Sequence, residues 1–224
     1  MSKRALAREL ARKHLSEGDP LGWFEALYSS ASYDAAAIPW ADLKPNPNLE
    51  SWLDARPMPT GRGALKVGCG LGDDAEELAR RGFDVTAFDI APTAIQWCRR
   101  RFPRSSARYL VADLLDPPLA WNGNFNLVLE SYTLQVLPPD LRERAMRSLA
   151  AFLAPAGQLL LICRGREPHE PEGAMPWPLT RQELSNLAKH AGLAEQSFED
   201  FLDGESPPVR RFRSVYGRTP CAAG

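Results

Sequence analysis

The sequence lacks any run near the roughly 18 consecutive apolar residues of a membrane span, which predicts a chain with no membrane partner. Its start, Met1-Ser2-Lys3-Arg4-Ala5-Leu6, meets charge again at Arg8, Glu9 and Arg12, a pattern without the apolar stretch of a signal peptide. Neither sign of charge is in excess. Lys plus Arg number 27 against 28 for Asp plus Glu, a formal net charge of -1, so no long-range field draws in nucleic acid. The four cysteines, Cys69, Cys98, Cys163 and Cys221, lie far apart and never as C-x-x-C, which argues against a metal site and a disulfide framework. The expectation is a cytoplasmic enzyme or binding domain, monomer or homodimer, with no metal. The 224 residues, 44% apolar and 25% charged, are enough for one substantial core.

Residues 3–17 read as an amphipathic helix with Leu6, Leu10 and Leu15 near one face, stopped by Gly18-Asp19-Pro20. Further helices are expected over 21–30 and 48–55, on either side of a Pro-rich passage, and Arg56-Pro57-Met58-Pro59-Thr60-Gly61 breaks the chain. Residues 1–60 are expected to form a helical cap on the carboxyl edge of a sheet and 61–224 the α/β domain, one structural domain overall. From Gly63 strand and helix alternate. Strands are expected at 64–67, 83–88, 107–111, 125–129 and 158–163, and helices at 73–81, 92–102 and 140–153, the last stopped by Ala154-Pro155-Ala156-Gly157. A loop over 164–179 leads to a helix at 180–191 that Thr180 and Glu183 open as a capping box. Residues 197–201 and 211–216 then pair antiparallel. The fold class that follows is α/β, a doubly wound (Rossmann-like), mostly parallel seven-stranded sheet with an antiparallel C-terminal hairpin and an N-terminal helical cap.

The strongest chemical signal is Val67-Gly68-Cys69-Gly70-Leu71-Gly72 between a strand and a helix. Glycine there permits a sharp turn and lets a ligand approach bare backbone. The second strand ends in Asp89, a carboxylate beside the loop at the spacing that grips a ribose diol. A dinucleotide site places a pyrophosphate on the helix N-terminus. Here Asp73 and Asp74 open that helix, and their charge repels a pyrophosphate but suits a cationic ligand such as S-adenosylmethionine. The same two acids also favour the helix dipole.

On these features, residues from about 63 to 163 resemble a class I S-adenosylmethionine-dependent methyltransferase. Gly68-Cys69-Gly70-Leu71-Gly72 resembles the first motif, Asp89-Ile90 the second, Ala112-Asp113-Leu114 the third, and Leu129-Glu130-Ser131 the end of the fourth strand. The resemblance implies Asp113 for the adenine amino group, Ile90 against the ring, and S-adenosyl-L-homocysteine as product. Ile38-Pro39-Trp40-Ala41-Asp42-Leu43 is similar to the Pro-Trp segment of the thiopurine and halide/thiol methyltransferases, which implies that Trp40 closes over the cofactor. Lys66 departs from the acid that many class I enzymes carry two residues before the first glycine, a trait shared with that branch.

The acceptor side is less marked. Glu130-Ser131-Tyr132-Thr133 stands where base-amine methylases carry an Asn/Asp-Pro-Pro-Tyr/Phe signature, so a small-molecule acceptor is favoured over nucleic acid. Arg99-Arg100-Arg101 and Arg210-Arg211 read as solvated helix and edge-strand charges. Glu130 and Gln135 are candidates for contact with the methionine end of the cofactor or with an acceptor, and Glu130, Tyr132 and His169 are candidate catalytic residues, His169 as a general base on a lid; Trp177 is a candidate pocket wall. Cys69 reads as a small packing residue between glycines. Two other functions remain open on sequence: a nicotinamide oxidoreductase, opposed by Asp73, and a non-catalytic binder of the same nucleoside.

Overall fold

The computed structural model describes residues 2–55 and 62–219; the expected breaker at 56–61 and Cys221 lie outside them. The chain groups into two compact units. The first takes in residues up to 55 together with Ala64–Asp113, and the second runs from Leu114 onward with residues 62 and 63.

The first unit begins with three helices, α1 (Lys3–Ser16), α2 (Gly22–Ser30) and α3 (Pro47–Asp54). Local chemistry sets their ends. Ser2 accepts the Ala5 N–H at 3.2 Å, and Asn46 accepts the Asn48 N–H at 3.0 Å ahead of a proline in the first turn. Then follow β1 (Gly63–Val67), α4 (Asp73–Arg80), β2 (Asp84–Asp89), α5 (Pro92–Arg101) and β3 (Arg108–Val111). Gly82, at φ +89°, ends α4: its N–H reaches Ala79 O at 2.9 Å and the Phe83 N–H reaches Leu78 O at 3.1 Å, a Schellman closure. Leu65, Val67, Val85 and Phe88 of the strands are buried, as are Leu78, Ile95, Trp23, Leu27 and Trp52 of the helices.

The second unit holds β4 (Phe125–Ser131), a 3-10 turn (Leu134–Val136), α6 (Pro139–Phe152), β5 (Leu153–Arg164), α7 (Arg181–His190), β6 (Leu193–Leu202) and β7 (Arg210–Arg218). The capping box of α7 forms in both directions, Thr180 Oγ1 accepting from Glu183 N at 3.1 Å and Glu183 returning the bond at 2.5 Å. The seven strands run β3-β2-β1-β4-β5-β7-β6, with β5–β7 and β6–β7 antiparallel. This is the expected mostly parallel, doubly wound sheet with its antiparallel hairpin. No helix among the described residues is long and apolar enough to cross a membrane.

Three expectations need correction. Residues 154–157 do not stop α6 before a gap. β5 begins at Leu153 opposite Phe125, and the ladder resumes with Gln158 opposite Leu127, so the intervening residues bulge from the strand. β7 is not an edge strand; β6 is, and Arg211 is therefore 3% exposed. The arginine clusters are not simply solvated. Arg99 donates to Tyr109 O at 2.6 Å, Arg100 lies over the Tyr33 ring, Arg101 clasps Asp73, and Arg210 and Arg211 pair with Asp200 and Asp203.

Candidate functional site

The glycine loop has the backbone that the residue type predicts. Gly68, Gly70 and Gly72 have φ of +54°, +54° and +93°. Such values favour glycine. At Gly72 the crowding is steric as well, because a Cβ there would sit 2.8 Å from the Tyr109 hydroxyl and 3.2 Å from Cys98 Sγ. The loop is anchored to β2 by Cys69 N–H on Phe88 O at 2.8 Å.

Asp89 is buried at the end of β2. Its Oδ2 accepts the Gly70 N–H at 2.9 Å and its Oδ1 accepts the Ala91 N–H at 3.0 Å. Burial pushes its carboxyl above the ordinary value, while the Ala91 and Gly70 amides pull the other way. An ionised carboxylate offers about four acceptor positions, so two amides leave capacity for a diol.

Aromatic side chains from the first sixty residues lie over the same loop. A Cβ on Gly70 would meet the Tyr28 hydroxyl at 3.3 Å and Trp40 Nε1 at 3.8 Å. Trp40 Nε1–H donates to that hydroxyl at 2.9 Å. Tyr28 is buried, whereas Trp40 keeps 37% of its surface exposed. Tyr28 lies deeper than Trp40 and against Gly70.

The acids that open α4 serve the fold. Asp73 forms a two-pronged pair with Arg101, at 2.7 and 2.8 Å, and Asp74 accepts the Asn46 N–H at 2.8 Å. The expectation that they face a cationic ligand is corrected for Asp73, whose charge Arg101 neutralises. Lys66 is buried and spends its ammonium on Val67 O at 2.8 Å and Gly68 O at 3.4 Å, with Asp74 at 3.9 Å. Cys69 is buried and its thiol is pushed well up by desolvation, in keeping with a packing role. Ile90, Ala112 and Asp113 are half-buried past the ends of β2 and β3; Ala112 N–H donates to Asp89 O at 3.1 Å, and Leu114 is buried. Bare backbone, spare carboxylate capacity, half-buried apolar surface and a lysine committed to carbonyls fit an adenosine-bearing cation, not a pyrophosphate.

In the second unit, Glu130 is fully buried, and its Oε1 accepts the Thr133 and Leu134 amides at 2.6 and 2.9 Å. That carboxylate caps the turn after β4. Gln135 joins three segments: its Oε1 accepts the Arg164 N–H at 2.7 Å and its carbonyl accepts the Trp177 N–H at 2.8 Å. Tyr132 has φ +67°, a costly backbone for a bulky residue of the kind that clusters at functional sites, and the Arg211 guanidinium lies 4.7 Å from its ring centre. His169 is exposed on a turn. Sequence reasoning missed Arg142. Its signal was a charge in α6 three and four residues before Ala145 and Met146, both buried, on a face that should be apolar.

Residues 64–157 match a family described as a methyltransferase domain. Over 196 residues the chain is 24% identical to an Arabidopsis thaliana protein described as probable thiol methyltransferase 2, covering 87% of this chain and 83% of that one. It is 25% identical over 168 residues to the 2-heptyl-1-hydroxyquinolin-4(1H)-one methyltransferase of Mycobacteroides abscessus, covering 73% of each. Among solved structures, the fold resembles that of the Burkholderia thailandensis 1,6-didemethyltoxoflavin-N1-methyltransferase, crystallised with 1,6-didemethyltoxoflavin and S-adenosylhomocysteine. The TM-score is 0.62 at 17% identity, over 97% of this chain and 89% of that one.

Proposed function

We propose that the chain is a class I S-adenosylmethionine-dependent methyltransferase that transfers the methyl group in line to a small-molecule acceptor, a thiol first. One observation carries the donor side: the Asp89 carboxylate braces Gly70 from one side while Tyr28 and Trp40 cover it from the other. The bound donor supplies an activated methyl on a sulfonium. Asp89 takes the ribose diol with its remaining acceptor positions, Ile90 packs on the adenine and Asp113 accepts its amino group. Gly68 and Gly70 offer unshielded backbone, and the face of Trp40 favours a sulfonium by about 0.5–2 kcal/mol. Holding donor and acceptor in line contributes roughly 7–11 kcal/mol, the largest share asked of the protein.

The acceptor must lose a proton. Glu130 is fully buried with its Oε1 on two backbone amides and His169 stands on an exposed turn, so the reading assigns the proton to neither. An acceptor that ionises by itself near neutral pH is therefore preferred, and a thiol, with an ordinary pKa of about 8.5, meets that need better than an alcohol. The thiol methyltransferase name of the Arabidopsis relative supports the same choice. A small acceptor suits the arginine clusters, whose charges go to internal partners instead of an open basic face. The test is turnover with methyl-labelled donor across thiols, phenols, amines and iodide. Labelled thioether as the main product supports the proposal. Label only in phenols or amines overturns the thiol, and no transfer to any of them overturns the reading as a small-molecule enzyme.

A further inference from the structure

Of the buried charges, Asp89 and Glu130 each accept two backbone amides, and three others meet an opposite charge. Lys66 has Asp74 at 3.9 Å, Glu77 has Arg80 at 2.6 Å, and Arg211 has Asp203 at 2.5 Å. Arg142 differs. It is 4% exposed, its Nε donates to Leu137 O at 3.1 Å, and no carboxylate among the described residues pairs with it. Its Nη2 is buried without a hydrogen-bond partner. The two acids whose charge it feels most, Glu183 and Glu172, are held by Arg166 at 3.0 and 3.4 Å. Burying a guanidinium against one neutral carbonyl is costly, so its retention points to an anion from outside.

The surroundings say which kind. The guanidinium carbon lies 5.9 Å from the centre of the half-buried Trp177 ring. Trp177 is fixed there by Gln135, which also holds the end of β5, so the ring and the cation are presented at the carboxyl ends of β4 and β5. That is the edge where open α/β sheets bind ligands. With Nε spent on Leu137, Nη2 is left without a partner, and a guanidinium edge matches the two oxygens of a carboxylate. The indole face matches a flat ring.

We propose that Arg142 and Trp177 form an acceptor subsite for a planar aromatic carboxylate, Arg142 taking the anion and Trp177 stacking on the ring. The subsite rests on reading this edge as the acceptor side of the methyltransferase, and it makes Arg142 the specificity-determining residue for acceptor charge.

Binding and turnover test it separately. In calorimetry with the full chain and no donor, benzoate should bind about tenfold or more tighter than benzamide. Arg142→Met should erase that preference, and Arg142→Lys, which keeps the charge without the fork, should restore part of it. In turnover, 4-mercaptobenzoate should have a lower KM than 4-mercaptobenzamide, and Arg142→Met should raise the first KM without moving the second. Equal binding of benzoate and benzamide by the wild-type chain overturns the subsite. So does a benzoate preference that survives in Arg142→Met, or in Arg142→Lys at full strength should the Met variant fail to fold. An Arg142-dependent benzoate preference without transfer to any thiol leaves the subsite standing and removes the thiol reading. Methylation of both thiols with no dependence on Arg142 does the reverse.

Discussion

Asp89 holds Gly70 across nineteen positions of sequence, its Oδ2 accepting the glycine N–H at 2.9 Å. The acid that closes β2 therefore shapes the glycine loop before it touches any ligand. With Asp89 proposed to take the ribose diol, ligand affinity and loop conformation are linked through one side chain.

Gly72→Ala tests the loop. The residue sits at φ +93°, and an added methyl would meet Tyr109 and Cys98. Left-handed backbone alone costs a non-glycine residue about 1–2 kcal/mol. Thermal melting is expected to fall by about 4 °C or more, with weaker adenosylhomocysteine binding. A melting temperature within a degree of wild type contradicts the crowding.

Tyr28→Phe keeps the ring and removes the acceptor of the Trp40 N–H bond. Adenosylhomocysteine affinity is expected to fall about three- to tenfold by calorimetry, the loss of roughly one hydrogen bond's worth of order in the cover. The intrinsic fluorescence of Trp40 should shift in parallel. Unchanged affinity and emission would remove Tyr28 from the site.

Much of this was legible in sequence, and the limits have a common cause. The glycines, Asp89 and the strand-helix alternation are local patterns whose spacing carries their meaning, and they stand where expected. Asp73 was misjudged because its partner, Arg101, lies 28 residues away on the next helix, and no local pattern announces that pair. Glu130 stood out as a strand-end acid in a fold whose ligand edge lies there; its Oε1 instead takes the Thr133 and Leu134 amides at the start of the following turn. The bulge at 154–157 was hidden because Pro155 and Gly157 signal a break equally well between elements or within one. Arg142 could have been found from its place on an otherwise apolar helix face.

Glu77 gives a pH test of the first unit. The Arg80 guanidinium, joined by that of Arg81, holds its carboxyl below the usual range. A lowered folded-state pKa means stability that is present above the unfolded value of about 4.3 and lost as pH falls through the folded one. Glu77→Gln should cost about 1–3 kcal/mol at pH 7, and its deficit should shrink as pH falls below about 4. Denaturant melts at several pH values measure this, and a deficit that stays constant into acid contradicts the ion-pair origin.

His169→Ala should leave kcat/KM within about twofold, and the rise of rate with pH should follow each acceptor's own ionisation. Rate profiles for two thiols of different pKa check both points. An inflection common to both acceptors that disappears in His169→Ala would assign the proton to the protein.

The most direct measurement is calorimetric titration of adenosylhomocysteine, NADH and NADPH into the wild-type chain and into Asp89→Ala. The account predicts binding of adenosylhomocysteine alone, weakened by about tenfold or more in the variant. Binding of NADH or NADPH in its place, or equal adenosylhomocysteine affinity for both proteins, would contradict it.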